Sequence, residues 1–289
     1  MSQLLVGLLW LLHWLPFGAL ARVGSGLGVL LYVFARARRH VASTNIRLCF
    51  PELDEAERVR LVKAHFRLLG RSVIDRGVLW WSPRERLERF IRVEGLEHVE
   101  ALRAEGRPII LLAPHFVGLD AGGVGITMRF DIVSIYARQK DPVFDRWIHH
   151  GRSRFGDQLL LARDEGVRPT VKALKAGRPF YYLPDMNFRT RDAIFAPFFG
   201  VQAWTITGLP RLAKVSGAAV VNCATRMLPQ GGYLLELGKA WTDYPSGDIE
   251  ADTARMNREI ETIVRTMPDQ YYWVHRRFKT RPPGEPRRY

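Results

Sequence analysis

The sequence has 289 residues, of which 47% are hydrophobic and 25% are charged. This length provides the core of one α/β domain with a short appendage and excludes two large domains, and the hydrophobic content excludes a disordered chain. Lys and Arg number 43 against 29 Asp and Glu, giving a formal charge of +14 and a pI near 10.3. The expected partners are therefore anionic: nucleic acid, a membrane surface or an acidic protein.

The first predicted element is a membrane segment. Residues 4–34 are almost continuously apolar, with interruptions at His13, Pro16, Arg22 and a run of small residues at 24–28. The uninterrupted apolar run is shorter than the roughly 20 residues that span a bilayer, so either one kinked crossing or a helical hairpin in one leaflet fits the pattern. No Lys or Arg precedes the run and no clear cleavage site follows it, which is not typical of a secretory signal.

A basic cluster, Arg36, Arg38 and Arg39, follows the apolar segment directly. Such clusters normally stay on the cytoplasmic side, and each basic side chain contributes about 1 kcal/mol of binding to anionic head groups. The chain is therefore divided into a membrane anchor, residues 1–35, and a cytoplasmic domain, residues 36–289. The alternative is a buried N-terminal helix of a soluble protein, against which the density of Leu and Trp argues.

Beyond the basic cluster, the pattern predicts one long helix and then strands that alternate with helices. Residues 54–78 have apolar positions close to helical spacing and begin with acidic side chains, which favours a helix. Short apolar runs bounded by turn residues predict buried strands at 109–113, 132–136, 180–183, 218–223 and 233–237. This alternation predicts an α/β fold with a central, mostly parallel sheet and flanking helices, preceded by the hydrophobic anchor helix. The tail from Arg281 onward is expected to be a loose basic end.

The strongest chemical signal follows the predicted strand 109–113. His115 stands at the carboxyl end of this strand, and Asp120 comes five residues later. Ligands of open α/β sheets bind outside the carboxyl ends of the strands. A carboxylate one turn into the next helix can reach back to one imidazole nitrogen and leave the other free to take a proton. We therefore predict that His115 is a general base and that Asp120 orients it.

The surrounding sequence favours direct transfer over covalent catalysis. Gly118, Gly122 and Gly123 follow the histidine and are expected to permit close approach of a substrate. A GxSxG nucleophile elbow is missing, and the two cysteines have no metal-ligand spacing. We predict neither a metal nor an organic cofactor. A base without an enzymic nucleophile fits a reaction in which His115 deprotonates a substrate hydroxyl that attacks an activated acyl carbonyl, with an Arg or backbone amides stabilising the oxyanion.

Four sequence blocks together resemble one known family. They are the HxxxxD block at 115–120, GRSRFG at 151–156, FAPFFG at 195–200 and QYYWVHRRFKTRPPG at 270–284. With the N-terminal hydrophobic segment and its basic turn, their order and spacing are similar to those of the late acyltransferases of lipid A biosynthesis, the lauroyl/myristoyl group of the lysophospholipid acyltransferase superfamily. The resemblance covers nearly the whole chain.

The resemblance implies transfer of an acyl group from acyl carrier protein to the 3-hydroxyl of an acyl chain on a phosphorylated glucosamine disaccharide, a precursor of the Kdo-lipid IV-A type. It implies the bacterial inner membrane as the location, with the catalytic domain facing the cytoplasm. Carried over by residue, His115 is the base, Asp120 its orienting acid, Arg152 an arginine facing the active site and Asp185 an acid at a strand end. Many family members have Glu where this chain has Asp120.

Further basic residues are candidates for substrate binding. Arg154 stands two residues after Arg152, and Arg189 belongs to the sequence NFRTRD. Arginine pairs bidentately with phosphate oxygens, so these side chains are predicted to bind lipid or pantetheine phosphate. The alternative for each arginine is a solvated surface charge, and the alternative for Asp185 is a turn or N-cap aspartate. The C-terminal run HRRFKTR is expected to face an acidic carrier protein or the membrane.

Three other functions compete with this interpretation. A membrane acyltransferase acting on lysophospholipid, glycerol phosphate or a lipoamino acid shares the HxxxxD chemistry but differs in the FAPFFG and C-terminal blocks. A nucleic-acid-binding protein fits the pI, but the sequence has no recognisable binding motif, so no nucleic-acid partner is predicted. A membrane-bound hydrolase requires an enzymic nucleophile or a metal, and the sequence offers neither.

Overall fold

The computed structural model describes residues 2–162, 165–188 and 190–289. These residues form a seven-stranded sheet and a separate two-stranded hairpin. The strands are β1 (Ile91–Glu94), β2 (Ile109–Leu112), β3 (Val133–Tyr136), β4 (Leu159–Ala162), β5 (Phe180–Tyr182), β6 (Ala193–Phe198), β7 (Val201–Ile206), β8 (Ala219–Met227) and β9 (Tyr233–Ala240). The order in the large sheet is β1-β9-β8-β2-β5-β3-β4, and every pair is parallel except β8 with β9. The predicted mostly parallel sheet is confirmed.

Helices lie on both faces of this sheet. They are α1 (Ser2–Leu12), α2 (Phe17–Phe34), α3 (Arg36–Cys49), α4 (Glu55–Trp81), α5 (Arg84–Phe90), α6 (Leu96–Ala104), α7 (Leu119–Thr127), α8 (Pro142–Ser153), α9 (Arg168–Lys175), α10 (Gly208–Ser216) and α11 (Ile249–Thr266). The helix predicted at 54–78 is α4, which begins with a capping box between Asp54 and Glu57. The two reciprocal hydrogen bonds of this box satisfy two backbone donors that the first turn would otherwise leave unpaired.

The central strand β2 is buried on both faces. Ile110 and Leu112 pack into one hydrophobic cluster, whereas Ile109 and Leu111 pack into another on the opposite face of the sheet. None of these four side chains is more than 2% exposed. A strand covered by helices on both sides needs apolar residues at every position, which is why its sequence shows no two-residue alternation.

The FAPFFG block forms the turn of the β6–β7 hairpin, an element that the strand pattern did not predict. Phe199 and Gly200 have φ of 51° and 71°, and Phe198 pairs with Val201 across the turn. Positive φ at two consecutive residues is the geometry of a tight hairpin whose twist matches its strands. The backbone N–H of Phe199 donates to Glu261 Oε1 at 2.8 Å, so the turn is tied to α11. Strands β1 and β4 were also not predicted.

The prediction of a loose C-terminal tail is wrong. The Tyr289 hydroxyl accepts a hydrogen bond from the Phe278 backbone N–H at 3.1 Å and donates to Asn45 Oδ1. The Arg281 side chain is only 6% exposed and donates to the Gln202 carbonyl at 2.7 Å. Both ends of the tail are therefore held by tertiary hydrogen bonds, Arg281 to β7 and Tyr289 to α3, while residues 283–287 between them are exposed.

The predicted N-terminal apolar segment is present as α1 and α2, which are separated by a break that includes Pro16. Among the described residues, α2 is the one helix with the length and composition of a membrane crossing. Its 18 residues pack along α4, the most extensive contact between any two elements. The apolar helix α2 is thus packed on the domain that follows it.

Candidate active site

His115 and Asp185 meet because their strands are neighbours in the sheet. In the parallel pair β2–β5, Leu112 lies opposite Tyr182. His115 and Asp185 each come three residues after these partners, at the carboxyl ends of the two strands. Parallel strands in this register deliver both side chains to the same edge of the sheet, where α/β proteins bind their ligands.

Both oxygens of the Asp185 carboxylate bond to His115. Oδ1 is 2.7 Å from His115 Nδ1, and Oδ2 accepts the His115 backbone N–H at 2.9 Å. The Tyr271 hydroxyl also bonds to this carboxylate, whose side chain is fully buried. Burial alone would raise the pKa of Asp185, but the His115 charge and the hydrogen bonds from His115 and Tyr271 outweigh it and lower that pKa to about 2. An ionised Asp185 requires the proton on Nδ1.

The other imidazole nitrogen, Nε2, makes no hydrogen bond to a side chain or backbone atom within residues 2–162, 165–188 and 190–289. The His115 side chain is 16% exposed, so this nitrogen is reachable from outside. A neutral imidazole with Nδ1–H bonded to a buried carboxylate and Nε2 open is the geometry of a general base.

The C-terminal segment holds the histidine loop in place. Its residues run antiparallel to the loop, with Phe116 paired to Tyr271. The Tyr272 backbone N–H donates to the His115 carbonyl at 2.8 Å, and the Val117 N–H donates to the Gln270 carbonyl at 2.8 Å. The block QYYWVHRRF is therefore part of the site's framework, although it lies about 155 residues away in the chain.

A small cavity of about 10 Å³ adjoins His115 and Asp185. This is the space of roughly one water molecule. His275 lines the cavity, and its Nε2 accepts the Asn187 backbone N–H at 3.0 Å. Burial and then the neighbouring charges of His115 and Arg277 lower the pKa of His275 to about 4. This second histidine is therefore neutral at ordinary pH, and it places no positive charge next to the base.

Asp120 lies in the first turn of α7, but its partners are arginines. Arg152 on α8 donates to Oδ1 from Nε at 3.2 Å and from Nη2 at 2.8 Å, and Arg76 on α4 donates to Oδ2 at 3.2 Å. Among the described residues no hydrogen bond joins Asp120 to His115. The predicted contact between these two side chains is therefore replaced by the Asp185–His115 contact, because the arginines of two other helices draw the Asp120 carboxylate away.

Two guanidinium groups on one carboxylate leave a net positive charge beside the site. Burial would raise the pKa of Asp120, but the charges and hydrogen bonds of Arg152 and Arg76 lower it to about 2. The side chains of Asp120, Arg76 and Arg152 are 22%, 22% and 32% exposed. The cluster thus joins α4, α7 and α8 and is still accessible to an anionic group.

The remaining predicted substrate-binding residues are placed differently from one another. Arg154 donates to the carbonyls of Leu79 and Ser82 at 2.8 and 2.6 Å, so its guanidinium holds the C-terminal end of α4. Its predicted substrate contact stays a prediction. Arg189 lies outside the described residues. Within the C-terminal basic run, Arg277 is 2% exposed and bonds to the β6–β7 hairpin, so this residue is unavailable for docking.

Two of the three glycines after His115 allow α7 to pack closely against the sheet. A side chain at Gly122 would collide with Thr225 of β8, and one at Gly118 would press on the Tyr233 ring at 3.0 Å. Gly123 would meet Tyr181 only at an ordinary 3.8 Å. Gly118 and Gly122 therefore allow α7 to approach the sheet closely, and the predicted approach of a substrate to these glycines stays a prediction.

Three residues of the site were missed as chemical candidates. Arg76 lies in a helix pattern rich in arginine, where nothing in the sequence distinguishes it from the other arginines of the helix. Tyr271 is an aromatic residue that is buried in the core, and only its contact with Asp185 reveals a second role. His275 was grouped with a basic run. Its location in a block resembling a known family was the one available signal.

Comparison with known proteins gives consistent matches. The sequence profile of the family described as "Bacterial lipid A biosynthesis acyltransferase" matches residues 1–280. A lipid A biosynthesis lauroyltransferase of Escherichia coli is 37% identical over 98% of this chain and 93% of the relative. A palmitoleoyltransferase of the same pathway in E. coli is 32% identical, over 97% and 91%, and a myristoyltransferase is 30% identical, over 92% and 81%. The matched range contains His115, Asp120, Arg152, Asp185 and the block QYYWVHRRF.

Proposed function

Because this chain belongs to the bacterial lipid A biosynthesis acyltransferases, whose reaction is an acyl transfer in lipid A biosynthesis, we propose that it moves a fatty acyl group from acyl carrier protein to a hydroxyl of a lipid A precursor. The acceptor is of the Kdo-lipid IV-A type, and the product carries an acyloxyacyl group. The observation that carries the chemistry is the pair of His115 and buried Asp185, with the second imidazole nitrogen open.

The proposed step uses His115 first as a base and then as an acid. His115 Nε2 takes the proton of the acceptor hydroxyl, and the hydroxyl oxygen attacks the thioester carbonyl of the acyl group on acyl carrier protein. Asp185 stabilises the imidazolium that forms, since the ionised carboxylate already bonds to Nδ1–H. When the tetrahedral intermediate collapses, the C–S bond breaks and the imidazolium returns its proton to the leaving thiolate. One ester forms, one thioester is consumed, and no metal or organic cofactor takes part.

The Asp120 cluster is proposed to bind and orient substrate next to the base. Asp120 accepts two hydrogen bonds from Arg152 and one from Arg76, which fixes the Arg152 guanidinium and leaves most of its donors and those of Arg76 for other acceptors. The net positive charge of the cluster suits a phosphate of the lipid acceptor or of the pantetheine arm. Arg154 and Arg189 keep their sequence-based assignment to the same task.

The location proposed for the protein is the bacterial inner membrane, with the catalytic domain facing the cytoplasm. The apolar helix α2 and the arginines that follow it support this placement. Both substrates fit it as well, because a lipid acceptor resides in the bilayer and the acidic carrier protein is soluble and complementary to a chain of formal charge +14.

The test is acyl transfer by detergent-solubilised protein from labelled lauroyl-acyl carrier protein to a tetra-acylated lipid A precursor, followed by mass spectrometry of the acyloxyacyl product. We expect the wild-type chain to add one acyl group and His115→Ala to lose at least about a hundredfold in rate, the scale of a general base. His40→Ala, which changes an exposed histidine on α3, is the matched control and should keep full activity.

Two results would contradict the proposal. If His115→Ala retains the wild-type rate, then this histidine is not the base. If the wild-type chain acylates a lysophospholipid and leaves the lipid A precursor untouched, then the acceptor assignment is wrong, while the chemistry at His115 stands.

A further inference from the structure

We infer that α1 and α2 bind the lipid bilayer by lying in the plane of its cytoplasmic leaflet, with one face in the lipid, and that α2 does not cross the membrane. The inference rests on the membrane association proposed above and specifies its geometry. Its partner is a bilayer surface with anionic head groups. The argument depends on where the exposed apolar side chains lie, on what covers the other face of α2, and on the charges around both helices.

The exposed large hydrophobic side chains are concentrated at the N-terminus. Among the described residues only three of them, Val167, Val215 and Ile249, lie elsewhere. The N-terminal ones are Leu4, Leu5, Leu8, Trp10, Leu11 and Trp14 in and just after α1, and Val23, Val29, Leu30, Val33 and Phe34 in α2. Soluble surfaces rarely carry an apolar patch of this size without a partner. Two tryptophans within it are typical of the lipid–water interface.

The face of α2 opposite its exposed apolar side chains packs directly against α4. A side chain at Gly24 would collide with the backbone of Arg71, and one at Gly28 would collide with the backbone of Phe66 and Arg67. From the other side, a side chain at Gly70 would collide with the backbone of α2. The two helices thus touch backbone to backbone at glycines, and α2 cannot separate from α4 without losing this contact.

The stretch of α4 that α2 covers is strongly charged. Arg67 is exposed, Arg71 donates to the Leu228 carbonyl at 2.6 Å, and buried Asp75 accepts the Tyr233 hydroxyl at 2.7 Å. Beyond them Arg76 reaches Asp120 at the active site. If α2 crossed the bilayer in this packing, these charges and the sheet behind them would lie at membrane depth, where charged groups are expensive. The packed conformation therefore excludes a crossing.

A crossing hairpin is excluded by the arrangement of α1. Gly77 of α4 packs against the backbone of Leu9, so α1 continues along the same helix that α2 covers. The α1 helix also contacts α8, and the Ser2 hydroxyl bonds to Asp141 at the start of α8. Both helices are thus seated on the globular body, with their apolar faces outward.

The charges around the two helices match an anionic surface. Residues 1–51 contain no Asp or Glu, whereas they contain Arg22, Arg36, Arg38, Arg39 and Arg47. In α4, Lys63 and Arg67 are exposed next to the C-terminal half of α2, where Lys63 Nζ and Arg39 flank the Tyr32 ring. An amphipathic helix with basic residues at its border and Trp, Leu and Phe on its face is the pattern of in-plane membrane binding.

This orientation brings the active site to the leaflet surface. The helix α3 follows α2 after a single residue, and its Arg38 donates to the Val274 carbonyl at 3.3 Å. Asn45 of α3 donates to the carbonyls of Trp273 and His275 at 2.7 Å and lines the cavity next to His115. A lipid hydroxyl could therefore reach the base from the same leaflet that holds α2.

Thiol labelling in cells that express the full chain distinguishes the two topologies. Single cysteines are introduced as Gln3→Cys in the first turn of α1, Pro16→Cys between the helices and Ala37→Cys after α2, all at exposed positions. The native Cys49 and Cys223 are buried, and the parent chain gives the background. A membrane-impermeant maleimide is applied to spheroplasts, to inside-out vesicles and to detergent-solubilised protein.

The in-plane arrangement predicts no labelling at residues 3, 16 or 37 in spheroplasts, and labelling of each after solubilisation. Residue 37 should also react in inside-out vesicles. A crossing by α2 predicts reaction of residues 3 and 16 in spheroplasts, and a crossing hairpin predicts reaction of residue 16 alone. Either of these results overturns the inference.

A binding measurement with purified protein isolates the lipid-facing side chains. Flotation with vesicles of phosphatidylethanolamine and phosphatidylglycerol is compared for Leu30→Glu, Phe34→Glu and the control Val215→Glu, which changes an exposed valine of α10. Each N-terminal variant should bind about tenfold more weakly or worse, while the control binds like the wild type. Equal binding by all four proteins overturns the inference.

Acyl transfer in detergent micelles is measured on the same variants, which keeps the two proposals apart. Retained transfer with lost vesicle binding supports the in-plane surface. If the wild-type chain binds vesicles in the predicted way and transfers no acyl group, then only the proposed function fails.

Discussion

Two carboxylates next to the same histidine loop have opposite partners. The Asp185 side chain is fully buried, and its carboxylate bonds to the ring nitrogen Nδ1 and to the backbone N–H of His115. Asp120 is 22% exposed and bonds to Arg76 and Arg152. Asp120 is the nearer of the two acids to His115 in the chain, yet Asp185, 70 residues further on, touches the imidazole.

Adjacency of strands in the sheet, and not proximity along the chain, decides which of these carboxylates contacts His115. Parallel neighbours fix Asp185 opposite His115 through the backbone register, and burial leaves its carboxylate no water to bond with. Asp120 lies in the first turn of α7, and its carboxylate pairs with arginines of two other helices instead of with the imidazole. A carboxylate paired with arginines is therefore expected to hold those arginines in place, whereas one paired with an imidazole is expected to act in proton transfer.

The largest expected effect comes from Asp185→Asn. The amide can donate to Nδ1 and so favour the wrong imidazole tautomer, which leaves Nε2 protonated and unable to act as a base. We expect the rate of acyl transfer to fall by on the order of 10³ or more with the protein still folded. Asp192→Asn, at an exposed aspartate, is the matched control. A loss of less than tenfold would show that Asp185 is not the orienting acid.

Asp120→Asn is expected to have the second largest effect, about 10 to 100-fold. Without the carboxylate, the guanidinium groups of Arg76 and Arg152 repel each other, and Arg152 loses its fixed position. Asp120→Glu keeps the charge and should recover most of the rate, which a steady-state assay of acyl transfer checks. If Asp120→Asn lowers the rate of acyl transfer as much as Asp185→Asn and shifts the pH profile in the same way, then the two carboxylates do not have different roles.

Tyr271→Phe is expected to reduce the rate about fivefold. The variant removes one hydrogen bond to the buried Asp185 carboxylate, worth about 1 kcal/mol, and keeps the ring that pairs with Phe116. Because the carboxylate then accepts fewer hydrogen bonds, the pKa of Asp185 should rise. Activity assays extended down to about pH 3 should therefore show that the rate of the variant begins to fall at a higher pH than that of the wild type. An unchanged profile and rate would place Tyr271 in a packing role alone.

The smallest expected effect is a pH dependence of stability. The folded-state pKa of Asp120 is about 2, below its ordinary value of 3.8, so its ion pairs stabilise the fold fully above about pH 4, and this contribution is lost as pH falls toward 2. The destabilisation caused by Asp120→Asn should therefore be about 1 kcal/mol smaller at pH 3 than at pH 6. Denaturant unfolding in detergent at the two pH values measures it. A difference that grows at pH 3 would contradict the assigned pKa direction.

The sequence was sufficient to predict the architecture wherever local pattern decides it. The strand before His115 is apolar at every position because helices cover both faces, and α4 begins at an acidic capping box. The hairpin of FAPFFG escaped prediction because β6 and β7 are short, half-exposed and joined by two residues of positive φ. The packed tail escaped because hydrogen bonds such as that of Tyr289 to Phe278 have no local sequence signature.

The sequence alone identifies the side chains available for the site: a histidine at a strand end, the acids Asp120 and Asp185, an arginine-rich helix and an apolar N-terminus without acidic residues. Which of these side chains contact one another depends on the tertiary fold. The order of strands placed Asp185 on His115, the packing of α4 and α8 placed arginines on Asp120, and the glycine contacts of α2 placed its apolar face outward. The physical reason is that periodicity records the environment of each residue, burial or exposure, whereas pairing depends on the spatial neighbours that folding selects.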